Sequence, residues 1–305
     1  MMDMTPTPIP AAGSPRRWTV VVAAVAVSAA ALAPGVSCAA RATRATRVID
    51  AGDARIQVTT IGSGHPIVVL PSLGRAAEDF DVLAEPLGRA GFQVVLAEPR
   101  GIGRSEGPLD GVSMRDLAAD VAAVIQSLDS GPVTIAGHAY GSRLARLVAS
   151  LHPDLVQQLI LLGAGGSRVP VPAEILEGIT QCFEGLPRDE HLAVVGRIFF
   201  ADGHDPTAWE SGWHRPLMEA QRAASRATPA DEWWAAGVAP VLVIQALDDI
   251  VSPPATARRL AEEFPARVRV VEIPSAGHAM VPEQPDRIAA AIIDYLHAAG
   301  LPRRD

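Results

Sequence analysis

Three short stretches hold residues that could do chemistry together. Gly137-His138-Ala139-Tyr140-Gly141 follows the apolar run Val133 to Ala136 and precedes Arg143 to Val148, which has helical spacing. Strand, sharp glycine-flanked turn and helix form the setting of a G-x-S-x-G turn, whose serine is presented as a nucleophile. Here the tip of the turn is Ala139, a methyl group. Asp248 and Asp249 lie past the run Val241 to Ile244, and His278 lies past Val268 to Ile273. A histidine in such a place can serve as a base once a carboxylate fixes its tautomer, and a nearby Asp is the usual supplier.

In an open parallel sheet a site forms beyond the carboxyl ends of the strands. The runs that precede these residues therefore have to be strands of one sheet. Val48 to Ile61 reads as a hairpin turning at Gly52-Asp53, with Ile56 to Ile61 alternating at period two. Pro66 to Pro71, Gln93 to Leu96, Val133 to Ala136, Leu159 to Leu162, Val241 to Ile244 and Val268 to Ile273 are short apolar runs. Such runs suit strands buried on both faces. Helical patterns lie between them. One begins at Ser113, whose partner Asp116 completes a capping-box-like start, and Leu117, Val121, Val124, Ile125 and Leu128 then line one face. The alternation predicts an α/β, doubly wound, mostly parallel sheet over residues 46–299. It stops between 167 and 238, where no run is strand-like and Trp209, Trp213, Trp233, Trp234 and the pair Phe199-Phe200 gather. About 70 residues between two strands is too long for a loop, which predicts an inserted helical cap.

Composition narrows the chemistry. The 305 residues are 49% hydrophobic, enough for one large core without staples. All 26 basic residues are Arg, so a Schiff-base lysine, a pyridoxal-phosphate lysine and a P-loop are excluded. A net charge of -8 argues against nucleic acid as a partner. No Cys/His spacing resembles a metal site, and no G-x-G-x-x-G opens a helix after the first strand, so no cofactor is expected. Residues 1–42 have a different character: Arg16-Arg17, an uncharged run from Trp18 to Ala33, then Ala-Arg-Ala at 40–42. That is the pattern of a secretory signal peptide, with cleavage expected between Ala39 and Ala42 and a secreted or periplasmic location. An uncleaved membrane anchor is the alternative. Cys38 falls in that segment, which leaves Cys182 as the lone cysteine of the mature chain and no disulfide.

The motifs, taken in order, resemble the α/β-hydrolase superfamily from Val48 to Ala298. Leu70-Pro71-Ser72-Leu73-Gly74 stands where that family has its His-Gly oxyanion loop, with Pro71 and Ser72 in place of His and Gly. Glu98-Pro99-Arg100-Gly101-Ile102-Gly103-Arg104-Ser105 resembles its D-x-R-G-x-G-x-S loop. Gly137 to Gly141 is similar to its nucleophile elbow, with Ala139 for serine. Asp248-Asp249-Ile250-Val251-Ser252-Pro253 resembles the acid turn, and Ala276-Gly277-His278-Ala279 the histidine loop. The resemblance implies Asp249 as the acid, by its spacing to Ser252-Pro253, and His278 as the base. It implies an oxyanion hole from the backbone N–H groups of Leu73 and Tyr140, and a small, largely apolar ester, amide or related acyl substrate. His65, His152, His191, His204, His214 and His297 show no ligand spacing and are expected on the surface or in the cap.

Three readings of Ala139 compete, the hydrolytic one being preferred, and the departures at Pro71 and Ser72 count against the engineered one. His278 activates water directly, with Ser72 as a substitute nucleophile in one variant and Ser142 expected to turn away. Alternatively the protein binds a ligand and has lost the reaction, or it is a serine hydrolase carrying an engineered Ser→Ala change.

Overall fold

The computed structural model describes residues 43–166 and 168–301, so the expected signal peptide and Cys38 lie outside the described residues. The six apolar runs and the two arms of the hairpin form one eight-stranded sheet. Its strands are β1 (Arg44–Asp50), β2 (Arg55–Gly62), β3 (His65–Leu70), β4 (Phe92–Ala97), β5 (Val133–His138), β6 (Val156–Leu162), β7 (Val241–Ala246) and β8 (Val268–Ile273). Their order across the sheet is β1-β2-β4-β3-β5-β6-β7-β8. The predicted hairpin, β1 with β2, is antiparallel, as is the pairing of β2 with β4, and the remaining pairs are parallel.

Both faces of the central strands are covered, which explains why these runs are continuously apolar. In β3, Val68 and Leu70 join a core layer with Leu117, Val121 and Leu147, whereas Ile67 and Val69 join the opposite layer with Leu83, Leu87, Ile288 and Ile292. The first layer holds α2 (Met114–Gln126), α3 (Tyr140–Leu151) and α7 (Pro254–Glu263); the second holds α1 (Asp81–Arg89), the short α8 (Met280–Glu283) and α9 (Pro285–Ala298). The start of α2 follows the sequence pattern closely. Ser113 caps it, accepting from the Asp116 N–H, and the Asp116 carboxylate accepts from the Ser113 N–H in return.

Between β6 and β7 the described residues form helices and no strand: α4 (Ala173–Gln181), α5 (Arg188–Phe199) and α6 (Arg215–Ala227), with 3-10 turns at Pro206–Trp209 and Ala230–Glu232. This insertion builds a small core of its own from Cys182, Val195, Ile198, Phe199, Phe200 and Trp209, and that core also takes in Ala279 beside His278. Cys182 is buried and free, and burial pushes its thiol pKa up to about 12. The four tryptophans divide: Trp209 and Trp213 belong with the insertion core, while Trp233 and Trp234 pack into the layer containing α3. Among the described residues no helix is long and apolar enough to cross a membrane.

Candidate active site

Register places the first two loops. Leu70 pairs with Gly137 and His138 pairs with Leu162, so the loops after β3, β5 and β6 leave the sheet side by side. Between β5 and α3 a single residue, Ala139, makes the turn, with φ 50 and ψ −103. An L-residue held in such a region costs about 1–3 kcal/mol. The turn is held by the Ala139 N–H donating to the Leu162 carbonyl at 3.0 Å and the Ser142 N–H donating to the Ala139 carbonyl at 3.1 Å. It also needs glycine on both sides. A Cβ at Gly137 would stand 2.3 Å from the Gly141 carbonyl oxygen, and a Cβ at Gly141 would stand 2.2 Å from that of Leu70. Ser142 is turned inward, its hydroxyl donating to the Gly137 carbonyl at 2.6 Å, and offers no nucleophile.

The acid and the histidine meet at the ends of β7 and β8. His278 Nδ1–H donates to Asp249 Oδ2 at 2.9 Å, and Asp249 Oδ1 accepts from the backbone N–H groups of Val251 (2.9 Å) and Ser252 (2.7 Å). Both carboxylate oxygens are thus committed, and both side chains are buried. A carboxylate on Nδ1 leaves the lone pair on Nε2, the form a general base needs. Asp248, by contrast, is exposed and takes part only through its backbone N–H, which donates to the Ala276 carbonyl. Glu283 secures the histidine loop: its buried carboxylate accepts from Gly277 N–H at 2.8 Å and from Ala201 N–H, at the end of α5, at 2.7 Å.

Two site residues had not been singled out from the sequence. His138, the last residue of β5, is buried with its ring 5.0 Å from that of His278, and its Nε2–H donates to the His278 carbonyl at 2.9 Å. Burial first, and the neighbouring His278 second, hold its pKa well below the ordinary histidine range, so it is neutral. The available signal was its place at the carboxyl end of a largely apolar strand, where a polar residue has to face the site. Arg75 is also buried, bridging Asp79 at 2.6 Å and the Gly212 carbonyl, with its guanidinium 4.7 Å from the centre of the Trp209 ring. An arginine four residues before an aspartate reads as a surface helix pair, and only the fold shows what covers it. Phe199, Trp209 and Trp213 pack ring to ring at 5.3–6.0 Å, and Phe199 lies 5.7 Å from His278.

The loop after β3 is fastened to the insertion. Gly74 N–H donates to Gln221 Oε1 of α6 at 2.8 Å, and the Gly74 carbonyl accepts from His214 N–H at 2.8 Å. Ser72 in that loop is buried. Among the described residues neither the Leu73 N–H nor the Tyr140 N–H donates to a protein group. The loop at 98–105 is scaffold. Arg100 forms a bidentate buried pair with Asp120 at 2.6 and 2.9 Å and reaches Asp53 at 2.7 Å, while the Ser105 hydroxyl donates to the Glu98 carbonyl. Among the described residues no three His, Cys, Asp or Glu side chains are grouped so as to hold a metal ion.

Comparison with known proteins identifies the family. Residues 65–189 match the family model described as alpha/beta hydrolase fold, and residues 207–305 match that of the TAP-like proteins. The chain is 28% identical over 254 residues to a pyrethroid hydrolase of Sphingobium wenxiniae, covering 76% of this chain and 87% of that one. It is 25% identical over 258 residues to a non-heme haloperoxidase of Rhodococcus erythropolis, covering 78% and 94%. An esterase of Exiguobacterium antarcticum shares the fold with a TM-score of 0.68 at 24% identity, over 80% of this chain and 96% of that one. With two family models matched along its length and the elbow, acid and histidine in their order, the chain belongs to the α/β-hydrolase superfamily.

Proposed function

We propose that the protein hydrolyses a small, largely apolar ester or amide by direct water attack, without a covalent acyl intermediate. The observation that carries this is the His278–Asp249 pair, whose carboxylate spends both oxygens on holding one tautomer. The carbonyl of the substrate sits over Ala139, under the helical insertion, which acts as a cap. His278 Nε2 takes a proton from water as the water oxygen bonds to the carbonyl carbon. The oxyanion formed accepts from the N–H groups of Leu73 and Tyr140, donors suited to such a charge when about 2.7–3.1 Å away. Collapse breaks the bond to the leaving group, and His278 returns the proton to it. In a serine triad, losing the serine costs about 10⁶ in kcat yet leaves about 10³–10⁴ over water from the oxyanion hole and binding. The relative named as a pyrethroid hydrolase supports a hydrolytic site, and the aromatic cluster supports an apolar ligand.

The assay is a panel of short-chain aryl esters against the protein, Ala139→Ser and His278→Ala. Turnover by the parent is expected, without a burst, and His278→Ala is expected to abolish it. Ala139→Ser should become reactive toward a serine-directed phosphonate probe. A parent no faster than His278→Ala would sink the hydrolytic reading and leave a ligand-binding protein built on the same pocket.

We further propose that residues 1–42 direct export. Amino-terminal sequencing of the protein recovered from outside the cytoplasm should begin between residues 40 and 43; the intact chain in the soluble cytoplasm overturns this.

A further inference from the structure

Three arginines of the described residues are almost wholly buried, and two of them have carboxylate partners: Arg75 with Asp79, and Arg100 with Asp120 and Asp53. Arg146 has none. It lies on α3 with its Nε donating to the Ser142 carbonyl at 3.0 Å, one terminal nitrogen donating to the carbonyls of Ala164 and Gly165, and the other, Nη1, buried with no partner. One step back along the same edge of the helix is Arg143, half-buried, whose Nη1 donates to the Ser225 hydroxyl of α6 at 3.1 Å and whose buried Nε has no partner. Neither forms an ion pair among the described residues. The Trp233 ring lies 4.6 Å from the Arg146 guanidinium and 5.8 Å from that of Arg143, and its buried Nε1–H is likewise unpartnered. The Tyr140 hydroxyl, three residues before Arg143, is a fourth buried polar atom without a partner.

This is an unusual balance of charge. A guanidinium does not lose its proton in a protein, so burial cannot be relieved by neutralisation. Burial pulls both guanidinium pKa values down, and the charge of Arg143 adds to the effect on Arg146. An ion buried without a counter-charge destabilises the fold. The carbonyls holding Arg146 solvate it without cancelling its charge, and the acids beside Trp233 and Trp234 are engaged elsewhere: Glu232 with Arg115, Asp231 with Arg168, and Glu263 with Trp234 and Arg168. The orphan atoms on Arg143, Arg146 and Trp233 are all donors, so what they lack is an acceptor, and the two cations call for a negative one.

We propose that Arg143 and Arg146, with Trp233 beside them, form a recognition site for a carboxylate-class anion where α3 meets the helical insertion. A planar carboxylate matches the forked donors of guanidinium. Arg143, the half-buried member, is the side from which an anion enters. Arg143 is four residues, about 6 Å of helix, from Ala139. The anion is either a free small acid or the acidic end of a ligand whose carbonyl sits at Ala139. Only the second source rests on the hydrolytic reading above.

The test uses three probes at matched ionic strength: acetate, 5-oxohexanoate, and 2-pentanone, which is the same ketone without the acid. Melting temperature is followed against concentration for the parent, Arg143→Gln and Arg143→Lys. Acetate and 5-oxohexanoate are expected to raise the parent's melting temperature saturably, with at least a tenfold loss of affinity in Arg143→Gln. Affinity for 5-oxohexanoate tenfold or more above that for acetate assigns the anion to a ligand; equal affinities assign it to a free acid. In anion-free buffer Arg143→Gln should melt no lower than the parent, because it removes an unpaired charge. If Arg143→Gln does not fold, Arg143→Lys carries the comparison, with a tenfold weaker response expected. The site is overturned if neither anion gives a saturable shift, or if the shift survives in the variants unchanged. Should 2-pentanone fail to bind and the esters fail to turn over while acetate binding depends on Arg143, the hydrolytic reading falls and the anion site stands.

Discussion

Ala139 occupies a conformation that its side chain gives no reason to keep. With φ 50 and ψ −103 it stores strain of about 1–3 kcal/mol. Glycine reaches this region freely and loses only about 0.4–1 kcal/mol more conformational entropy on folding. Ala139→Gly is therefore expected to raise stability by about 1 kcal/mol, read from the midpoint of urea unfolding at unchanged slope. A loss of stability would mean that the surroundings do not hold the turn under strain. The turn persists because four groups fix it: the Leu162 carbonyl, the Ser142 N–H, and the two glycine positions against which no Cβ fits. Strain maintained in this way, beside the unspent N–H of Tyr140, is what the proposed oxyanion hole requires.

The elements that carry these residues were largely legible, for a physical reason. Strands covered on both faces must be largely apolar, so β3 to β7 show as short runs, and Leu73, Ala139 and Asp249 are each read from their place just after one of them, as His278 is from its place after β8. Ser113 and Asp116 announce α2 because a capping box is a local interaction that needs nothing from the rest of the chain. The choice of Asp249 over Asp248 came from motif spacing, and the structure gives its physical content: only Asp249 is within reach of His278 and of two backbone N–H groups. What remained hidden depends on contacts far apart in sequence. His138 meets His278 across 140 residues, and Gln221 reaches Gly74 across 147. No local pattern encodes either contact. Nor does composition distinguish Trp209, which flanks the site, from Trp233, which stacks on Arg146; their destinations differ only because one precedes α6 and the other leads back into the sheet.

On the scale of the molecule, the site is closed by contacts between the sheet and the insertion, and these converge on Arg75. Its guanidinium joins Asp79, just before α1, to the Gly212 carbonyl of the insertion, and it lies against the rings of Trp209 and Trp213. The adjacent residue, Gly74, is bound to Gln221 and His214. The sheet itself makes none of its ladder bonds through these groups. Replacing Arg75 by Met keeps most of the apolar stem, removes the charge-assisted bonds, and leaves Asp79, partly exposed, to water. The insertion then opens more often than the sheet unfolds, because local openings with few buried contacts lie far below the global free energy. In native-state hydrogen exchange, Arg75→Met should accelerate amides of residues 212–221 by at least tenfold, while those of β3, β5, β6 and β7 keep the parent's protection. Uniform loss of protection across the sheet would instead make Arg75 a general stabiliser of the fold. Unchanged exchange in 212–221 would show that Glu283, Gln221 and the aromatic cluster hold the insertion without it. The expected pattern, local release over an intact sheet, is what the proposed hydrolytic site requires, since Ala139 and His278 are both less than 10% exposed.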